Sequence, residues 1–333
     1  MSPKARGRYS DHDVEHYDRP RRSTRPRTKE RPTYADAVDG VVVTVDRGRF
    51  TLLVEGQTVL AVKARPLGRK GVVVGDRVRV VGDTSGDEGA LARIVEVQER
   101  STTLRRTADD DDPVERVIVA NADQLVVVTA LADPEPQPRL IDRALVAAYD
   151  AGMQPLICMT KSDLADPDAL SATYRSLGVP WVVTHRGGDI TALRERLSGR
   201  TSVLLGSSGV GKSTLVNALV PHARREVGIV NAVTGRGRHT STSAYMLALP
   251  AGDGWIVDTP GIRSFGLAHV EPERLIEAFP DLDEMTEDCP RGCTHGADEP
   301  ECGLDEALRS GDADPERVAS FRRLLAARSE PAY

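Results

Sequence analysis

The sequence predicts an α/β protein in three folded parts: a small β-barrel, a central domain built on a mostly parallel sheet, and a helical C-terminal part. Three observations carry this reading. Five short β-branched runs, punctuated by Gly and Asp, lie between Val38 and Thr107. Across 108–270, continuous apolar runs alternate with stretches of helical periodicity, the pattern of strands buried on both faces and joined by helical crossovers. From Pro272 onward the pattern is helical, broken once by a loop rich in Cys. A chain of 333 residues is long for one domain, so a division is expected.

Hydrophobic residues make up 40% of the chain and aromatic ones 4%, enough for ordinary cores. The 44 Lys and Arg against 50 Asp and Glu give a formal charge of -6, which confines any nucleic-acid contact to local patches. The most apolar uncharged stretch, Gln124 to Ala132, is about half of the ~20 residues that a membrane span requires. MSPKARGRYS has no apolar run behind it and does not read as a secretory signal. A cytoplasmic protein with no membrane contact is the expectation.

Residues 1–31 contain ten Lys or Arg and five Asp or Glu, with almost no aliphatic residues, so the arm 1–37 is expected to be disordered. The basic excess there contrasts with 34 basic and 45 acidic residues in the remainder. Such an asymmetry suits either a nucleic-acid-binding tail or a solubilising extension.

In 38–107 the runs VDGVVVTVD, RFTLLVEG, TVLAVKA, GDRVRVVGD and ALARIVEV predict five strands closing as an OB-type barrel. Such barrels bind single strands by stacking bases on aromatic side chains. Phe50 is the only aromatic residue in this span, so stacking is not the expected mode. Arg47, Arg49, Arg65, Arg69 and Lys70 fall near turns, where they can touch phosphates of a folded RNA or simply face solvent.

Asp109 to Asp112, followed by Pro113, reads as a linker. VERVIVANADQLVVVTAL then supplies strand material, RLIDRALVAAYDAG a helix ended by Gly152, and PLICMT the next strand, with Cys158 as a small core residue. Further strands are WVVTH, TSVLLG and GWIVDTPG.

The run GSSGVGKST (Gly206, Ser207, Ser208, Gly209, Val210, Gly211, Lys212, Ser213, Thr214) follows an apolar strand and opens a helix, the context of a Walker A loop. Its glycines let successive N–H groups face phosphate oxygens, and the helix N-terminus adds a favourable dipole. Lys212 is expected to reach the β- and γ-phosphates and Ser213 to ligate Mg²⁺. WIVDTPG ends an apolar strand in an acid, where parallel sheets present ligands; Asp258 would hold Mg²⁺ through water, and the N–H of Gly261 would sense a γ-phosphate.

TKSD (Thr160, Lys161, Ser162, Asp163) also ends an apolar strand and resembles the guanine-selecting NKxD motif of GTPases. Asp163 can accept two hydrogen bonds that guanine N1 and N2 offer and adenine does not, and the Lys161 stem can lie over the base. Thr160 stands where Asn is usual and can make only part of the amide's hydrogen bonds. Here the base-selecting motif precedes the phosphate loop, the reverse of Ras-like order, which a circular permutation explains.

CPRGCTHGADEPEC places Cys289, Cys293, His295 and Cys302 in one Pro- and Gly-broken loop, a donor set for one tetrahedral, closed, structural Zn²⁺. In the final helix Val318, Phe321, Leu324 and Leu325 form one apolar face, leaving Arg322, Arg323 and Arg328 on the polar face, free to contact RNA or to be solvated.

Together these motifs resemble the ribosome small-subunit-dependent GTPase A family (RsgA, also called YjeQ) over about residues 35–325. The resemblance implies 38–107 as an OB-fold barrel, 108–270 as a circularly permuted P-loop GTPase domain and 271–333 as a helical zinc-binding domain. It implies GTP and GDP with Mg²⁺ as ligands. It also implies GTP hydrolysis stimulated by the 30S subunit, contact with 16S rRNA late in subunit maturation, and release after hydrolysis by a monomer. GRGRHTSTS matches the family's switch I, with Thr240 contacting Mg²⁺ or the γ-phosphate and His239 orienting the attacking water, or else touching RNA phosphate from an exposed loop. Arg236 and Arg238 are candidates for rRNA contact. The family spaces its metal ligands C-x4-C-x-H-x5-C, whereas this chain has x3 and x6. Ile262 follows DTPG where Ras-like enzymes place a water-orienting Gln nearby, so slow intrinsic hydrolysis is expected. The rival readings are a P-loop ATPase or nucleotide kinase and a non-catalytic RNA-binding scaffold with a nucleotide-dependent switch.

Overall fold

Strand β1 (Val38–Asp46) is long enough to pair with two neighbours, and that closes the barrel. Its first half pairs with β4 (Arg77–Gly82) and its second half with β2 (Arg49–Val54), with a register shift between Val42 and Thr44 where the strand changes partners. In this computed structural model the described residues are 34–68, 71–107, 115–221, 244–250, 252–259, 267 and 270–329. β3 (Gln57–Lys63) and β5 (Ala92–Val97) complete the order β1-β2-β3-β5-β4, closed by the β1–β4 pairing. Arg47-Gly48 and Glu55-Gly56 both have positive φ (44° and 84°, 50° and 82°), the two-residue turns that match strand twist. Val42, Leu52, Val59, Val78 and Ile94 fill the interior with Phe50, so the barrel's one aromatic ring belongs to its core and offers no stacking face.

β6 (Thr103–Thr107) and β7 (Glu115–Ala120) form a separate antiparallel ribbon. Gly75 sits against it with φ +87°, where a Cβ would lie 2.0 Å from the Ala120 carbonyl oxygen. Beside it the fully buried Asp76 accepts the Val73 N–H at 2.8 Å and two bonds from the Arg100 guanidinium at 2.7 and 2.9 Å. Three donors on one buried carboxylate fix the turn.

The central sheet runs β10 (Trp181–Val183), β9 (Gln154–Thr160), β8 (Gln124–Ala130), β11 (Thr201–Leu205), β13 (Trp255–Asp258), β12 (Tyr245–Ala248). All pairings are parallel except β12 with β13. β8 is buried at every residue, as a strand covered by helices on both faces must be. The helices include α1 (Pro138–Asp150), α2 (Asp168–Arg175), α3 (Thr191–Leu197) and α4 (Lys212–Leu219). β12 also pairs with the barrel strand β1 at Thr44↔Tyr245, so barrel and central sheet are hydrogen-bonded into one eleven-stranded sheet.

Beyond residue 270 the chain is helical, with helices at Pro272–Ile276, Pro280–Asp283, Gly303–Ser310 and Pro315–Ser329. The last of these buries Val318, Phe321, Leu324 and Leu325, as its apolar spacing predicts. Phe279 stacks edge-on with both Tyr149 of α1 and Phe321, at 5.2 and 5.4 Å between ring centroids.

The polar face of that helix corrects the sequence expectation. Arg322 donates to the His295 carbonyl at 3.1 Å and pairs with Asp305 at 2.8 Å. Arg323 pairs with the buried Asp142 of α1 at 3.1 Å and lies 5.3 Å from the Tyr174 ring, and Arg328 donates to the Val270 carbonyl at 2.8 Å. These three guanidinium groups pin the helix to its surroundings, because partly buried polar groups need partners inside the fold.

Candidate functional site

Strands β8, β9, β11 and β13 end on one edge of the sheet, as the pairs Ala130↔Thr160, Leu205↔Val127 and Leu204↔Asp258 require. Strand order reverses between β8 and β11, and the crevice beyond the carboxyl ends at such a reversal is the usual ligand position in open α/β sheets. A cleft lined by Val128, Glu135, Gln137, Gly206, Ser207 and Val210 opens there.

The glycine-rich turn fills the link from β11 to α4, for two separate physical reasons. Gly206 passes so close to β8 that a Cβ would lie 2.7 Å from the Val128 carbonyl oxygen. Gly209 and Gly211 take φ of 84° and 90°, and Gly211 caps α4 in a left-handed conformation that only glycine adopts cheaply. Ser207, Ser208, Ser213 and Thr214 lie in this turn and the first helical turn, with Ser208 and Gly209 exposed.

At the end of β9, Thr160 turns toward the phosphate loop. Its hydroxyl donates to the Val210 carbonyl at 2.6 Å and lies 3.3 Å from the Thr129 carbonyl. Lys161, at φ 57°, donates to the Asp133 carbonyl, and the Ser162 N–H donates to the Thr184 carbonyl at 3.2 Å. Asp163 is exposed and makes no ion pair or hydrogen bond with another described residue. The TKSD tetrapeptide and the glycine-rich turn, 46 residues apart at Thr160 and Gly206, are thus joined by a direct hydrogen bond.

Asp258 ends β13 with its side chain 7% exposed. One carboxylate oxygen forms a tight ion pair with Lys212 Nζ, and the other accepts the Tyr245 hydroxyl at 2.7 Å. Burial, and then the bond to Asp258, pushes the Tyr245 phenol well above the ordinary tyrosine range, so it remains the donor. Thr259 is buried and donates to the Leu204 carbonyl at 2.9 Å, locking the β13 end to β11. The sequence analysis missed Tyr245, because the contact depends on the β12–β13 register pairing Tyr245 with Asp258. The expected residues His239, Thr240 and Gly261, with Arg236, Arg238, Arg69, Lys70 and the run 109–112, lie outside the described residues.

The second cluster fits a metal. The donor atoms of Cys289, Cys293, His295 and Cys302 all lie within 4.8 Å of one another. His295 Nδ1 is 3.6 Å from the sulfurs of Cys289 and Cys293 and 3.9 Å from that of Cys302. Tetrahedral Zn²⁺, with bonds of ~2.3 Å to sulfur and ~2.0 Å to nitrogen, has S···N edges of roughly 3.6 Å. The Gly303 N–H donates to the Cys289 sulfur at 3.1 Å, and a Cβ on Gly303 would lie 2.1 Å from the Met285 carbonyl oxygen, so only glycine brings that donor in. Burial pushes the Cys293 thiol up to about 11, which leaves a divalent cation as the agent that would convert the set to thiolates. Cys158 is fully buried in β9 with its thiol pushed up to about 12 by burial, a core residue apart from either site.

Residues 97–268 match a family model described as RsgA GTPase. A protein of Ectopseudomonas mendocina named small ribosomal subunit biogenesis GTPase RsgA is 40% identical over 271 residues, covering 79% of this chain and 76% of its own length. Its namesake in Pseudomonas aeruginosa is 40% identical over 258 residues, covering 75% and 74%. Among solved structures, YjeQ from Thermotoga maritima is similar with a TM-score of 0.65 at 29% identity, over 88% of this chain and 98% of that one. YloQ, described as a circularly permuted GTPase, gives 0.63 at 25% identity, over 91% and 100%.

Proposed function

The chain belongs to the RsgA GTPase family, and from that premise we propose that the 30S ribosomal subunit stimulates its GTP hydrolysis, that it binds 16S rRNA late in subunit maturation, and that it leaves after hydrolysis. The observation that carries the nucleotide half of this reading is the meeting of Lys212, Asp258 and Thr160 at one sheet edge, from segments whose chain order is permuted.

The N–H groups of Gly206 to Thr214 cradle the phosphates, and Asp163, exposed at the end of β9, accepts from guanine N1 and N2 while the Lys161 stem covers the base. Lys212 and Asp258 satisfy each other in the structure, so binding is a partner exchange: the ammonium turns to the β- and γ-phosphates and the carboxylate to the hydration shell of the cation. Ser213 would hold Mg²⁺, with Thr240 contacting either that cation or the γ-phosphate, and the cation would supply neutralisation of charge on the phosphate oxygens. The Gly261 N–H meets the γ-phosphate, and His239 orients the attacking water. With Ile262 beyond DTPG, where Ras-like enzymes place a water-orienting Gln nearby, the 30S subunit completes the catalytic site.

One Zn²⁺ on Cys289, Cys293, His295 and Cys302 clips the C-terminal helices together. On this reading the protein works as a monomer in the cytoplasm; among the described residues no helix is long and apolar enough to cross a membrane. The test is phosphate release from GTP with and without purified 30S subunits. A marked rise with 30S, falling as salt is added, is expected. Equal rates with and without 30S refute the stimulation, and hydrolysis of ATP as readily as GTP refutes the base assignment.

A further inference from the structure

A row of polar side chains crosses the sheet from barrel to phosphate site. Cross-strand pairing sets Thr51 opposite Thr44, Thr44 opposite Tyr245, and Tyr245 opposite Asp258. The Thr44 hydroxyl donates to the Thr51 hydroxyl at 3.0 Å, and the Tyr245 hydroxyl donates to Asp258 Oδ2 at 2.7 Å. Directly opposite residues on neighbouring strands share a face, so this row is a consequence of register. Tyr245 is the one member that is hydrogen-bonded along the sheet to both domains and also touches the acid.

The two bonds to Asp258 are unequal in what can happen to them. Lys212 holds Oδ1 from the mobile end of a four-carbon stem, and it must let go for its ammonium to reach phosphate. Tyr245 holds Oδ2 from a ring fixed on a strand flanked on both sides, with no competing task. A carboxylate with one oxygen tied presents the other in a single orientation. An untied one turns about its Cβ–Cγ bond and loses that preorganisation on binding a cation's hydration shell.

We infer that Tyr245 is a positioning residue for the Mg²⁺-dependent step of nucleotide binding, fixing Asp258 so that Oδ1 alone faces the cation site once Lys212 departs. Tyr245 also conveys the placement of the barrel strand β1 to that carboxylate. The inference rests on the GTPase reading above and names a residue outside the phosphate loop, the base motif and the switch segment. It concerns affinity for the cation-bound nucleotide more than the chemical step.

The test is Tyr245→Phe in the full-length chain, which removes one oxygen and keeps the ring. Binding of a fluorescent GDP is titrated with Mg²⁺, repeated in chelator, and accompanied by a melting curve. The expected result is a half-saturating Mg²⁺ concentration raised about tenfold, equivalent to about 1.4 kcal/mol, with GDP affinity in chelator unchanged and the melting temperature lowered by no more than the few degrees that one lost hydrogen bond costs. An unchanged Mg²⁺ requirement overturns the inference. So does a variant that melts well below the wild type or loses GDP affinity equally in chelator, because either shows a role in the sheet and not in carboxylate placement. A wild type that binds no GDP would instead overturn the nucleotide assignment itself, whereas one whose GDP binding ignores Mg²⁺ would overturn the inference and leave that assignment standing, so the two failures are told apart.

Discussion

Replacing Thr160 with Val tests whether the hydroxyl at the end of β9 holds the phosphate loop. Valine keeps the shape of the side chain and its β-branch, and removes only the donor. Thr160 is 6% exposed, and its bond to the Val210 carbonyl, at 2.6 Å, is the short contact between the TKSD segment and the glycine-rich turn. Leaving a buried carbonyl without its donor costs ~1–3 kcal/mol. At about 2–4 °C per kcal/mol for a domain of this size, the melting temperature of Thr160→Val should fall by at least about 2 °C. GDP affinity should weaken roughly 3- to 10-fold, corresponding to about 0.7–1.4 kcal/mol expressed as displacement of the loop. Preference for GTP over ATP should stay as it is, since Asp163 is untouched. Differential scanning fluorimetry and titration with fluorescent GDP read both effects. A variant with the wild-type melting temperature and wild-type GDP affinity would show that the bond does not hold the loop, and the reasoning would fail.

Three further outcomes are expected. Asp163→Asn should shift the preference from guanine toward xanthine nucleotides in a competition assay, because the amide presents a donor where guanine also presents donors; unaltered guanine preference removes Asp163 from the base site. Cys293→Ser should abolish binding of one zinc equivalent by elemental analysis and lower the melting temperature, since a structural zinc contributes directly to folding; retained stoichiometry counts against the Cys3His site. Asp281 is held below the usual carboxylate value of 3.8 by its hydrogen bond to Arg317, so its contribution is present above that value and lost as pH falls through the lower folded one. With Asp281 half exposed, Asp281→Asn should cost at most about 1 kcal/mol, a gap constant from neutral pH to about pH 5 that closes only below about pH 4; a gap that closes near neutrality contradicts the ion pair.

Much of the site was legible because its signals are local. A glycine-rich turn between strand and helix, an acid ending an apolar strand, and four metal donors in fourteen residues each carry their chemistry within one short stretch, where spacing alone dictates which atoms converge. The barrel strands were legible for the same reason, since alternation and positive-φ turn residues are properties of adjacent positions. The last helix shows both sides of this. Its apolar stripe was readable from spacing, whereas Arg322, Arg323 and Arg328 could not be told from solvent-facing cations until the metal loop, α1 and the Val270 carbonyl were seen to supply their partners.

The chain's own order of residues therefore settled which elements form, where the glycine-rich turn falls and which side chains are spaced to bind a metal, because backbone conformation and donor spacing are decided within a few residues. Only the folded structure decided the pairings: Thr160 with Val210, Lys212 with Asp258, and Tyr245 with Asp258 and the barrel strand. Those contacts join residues 50, 46 and 13 positions apart, and cross-strand register and helix packing, which no local pattern encodes, bring them within bonding distance.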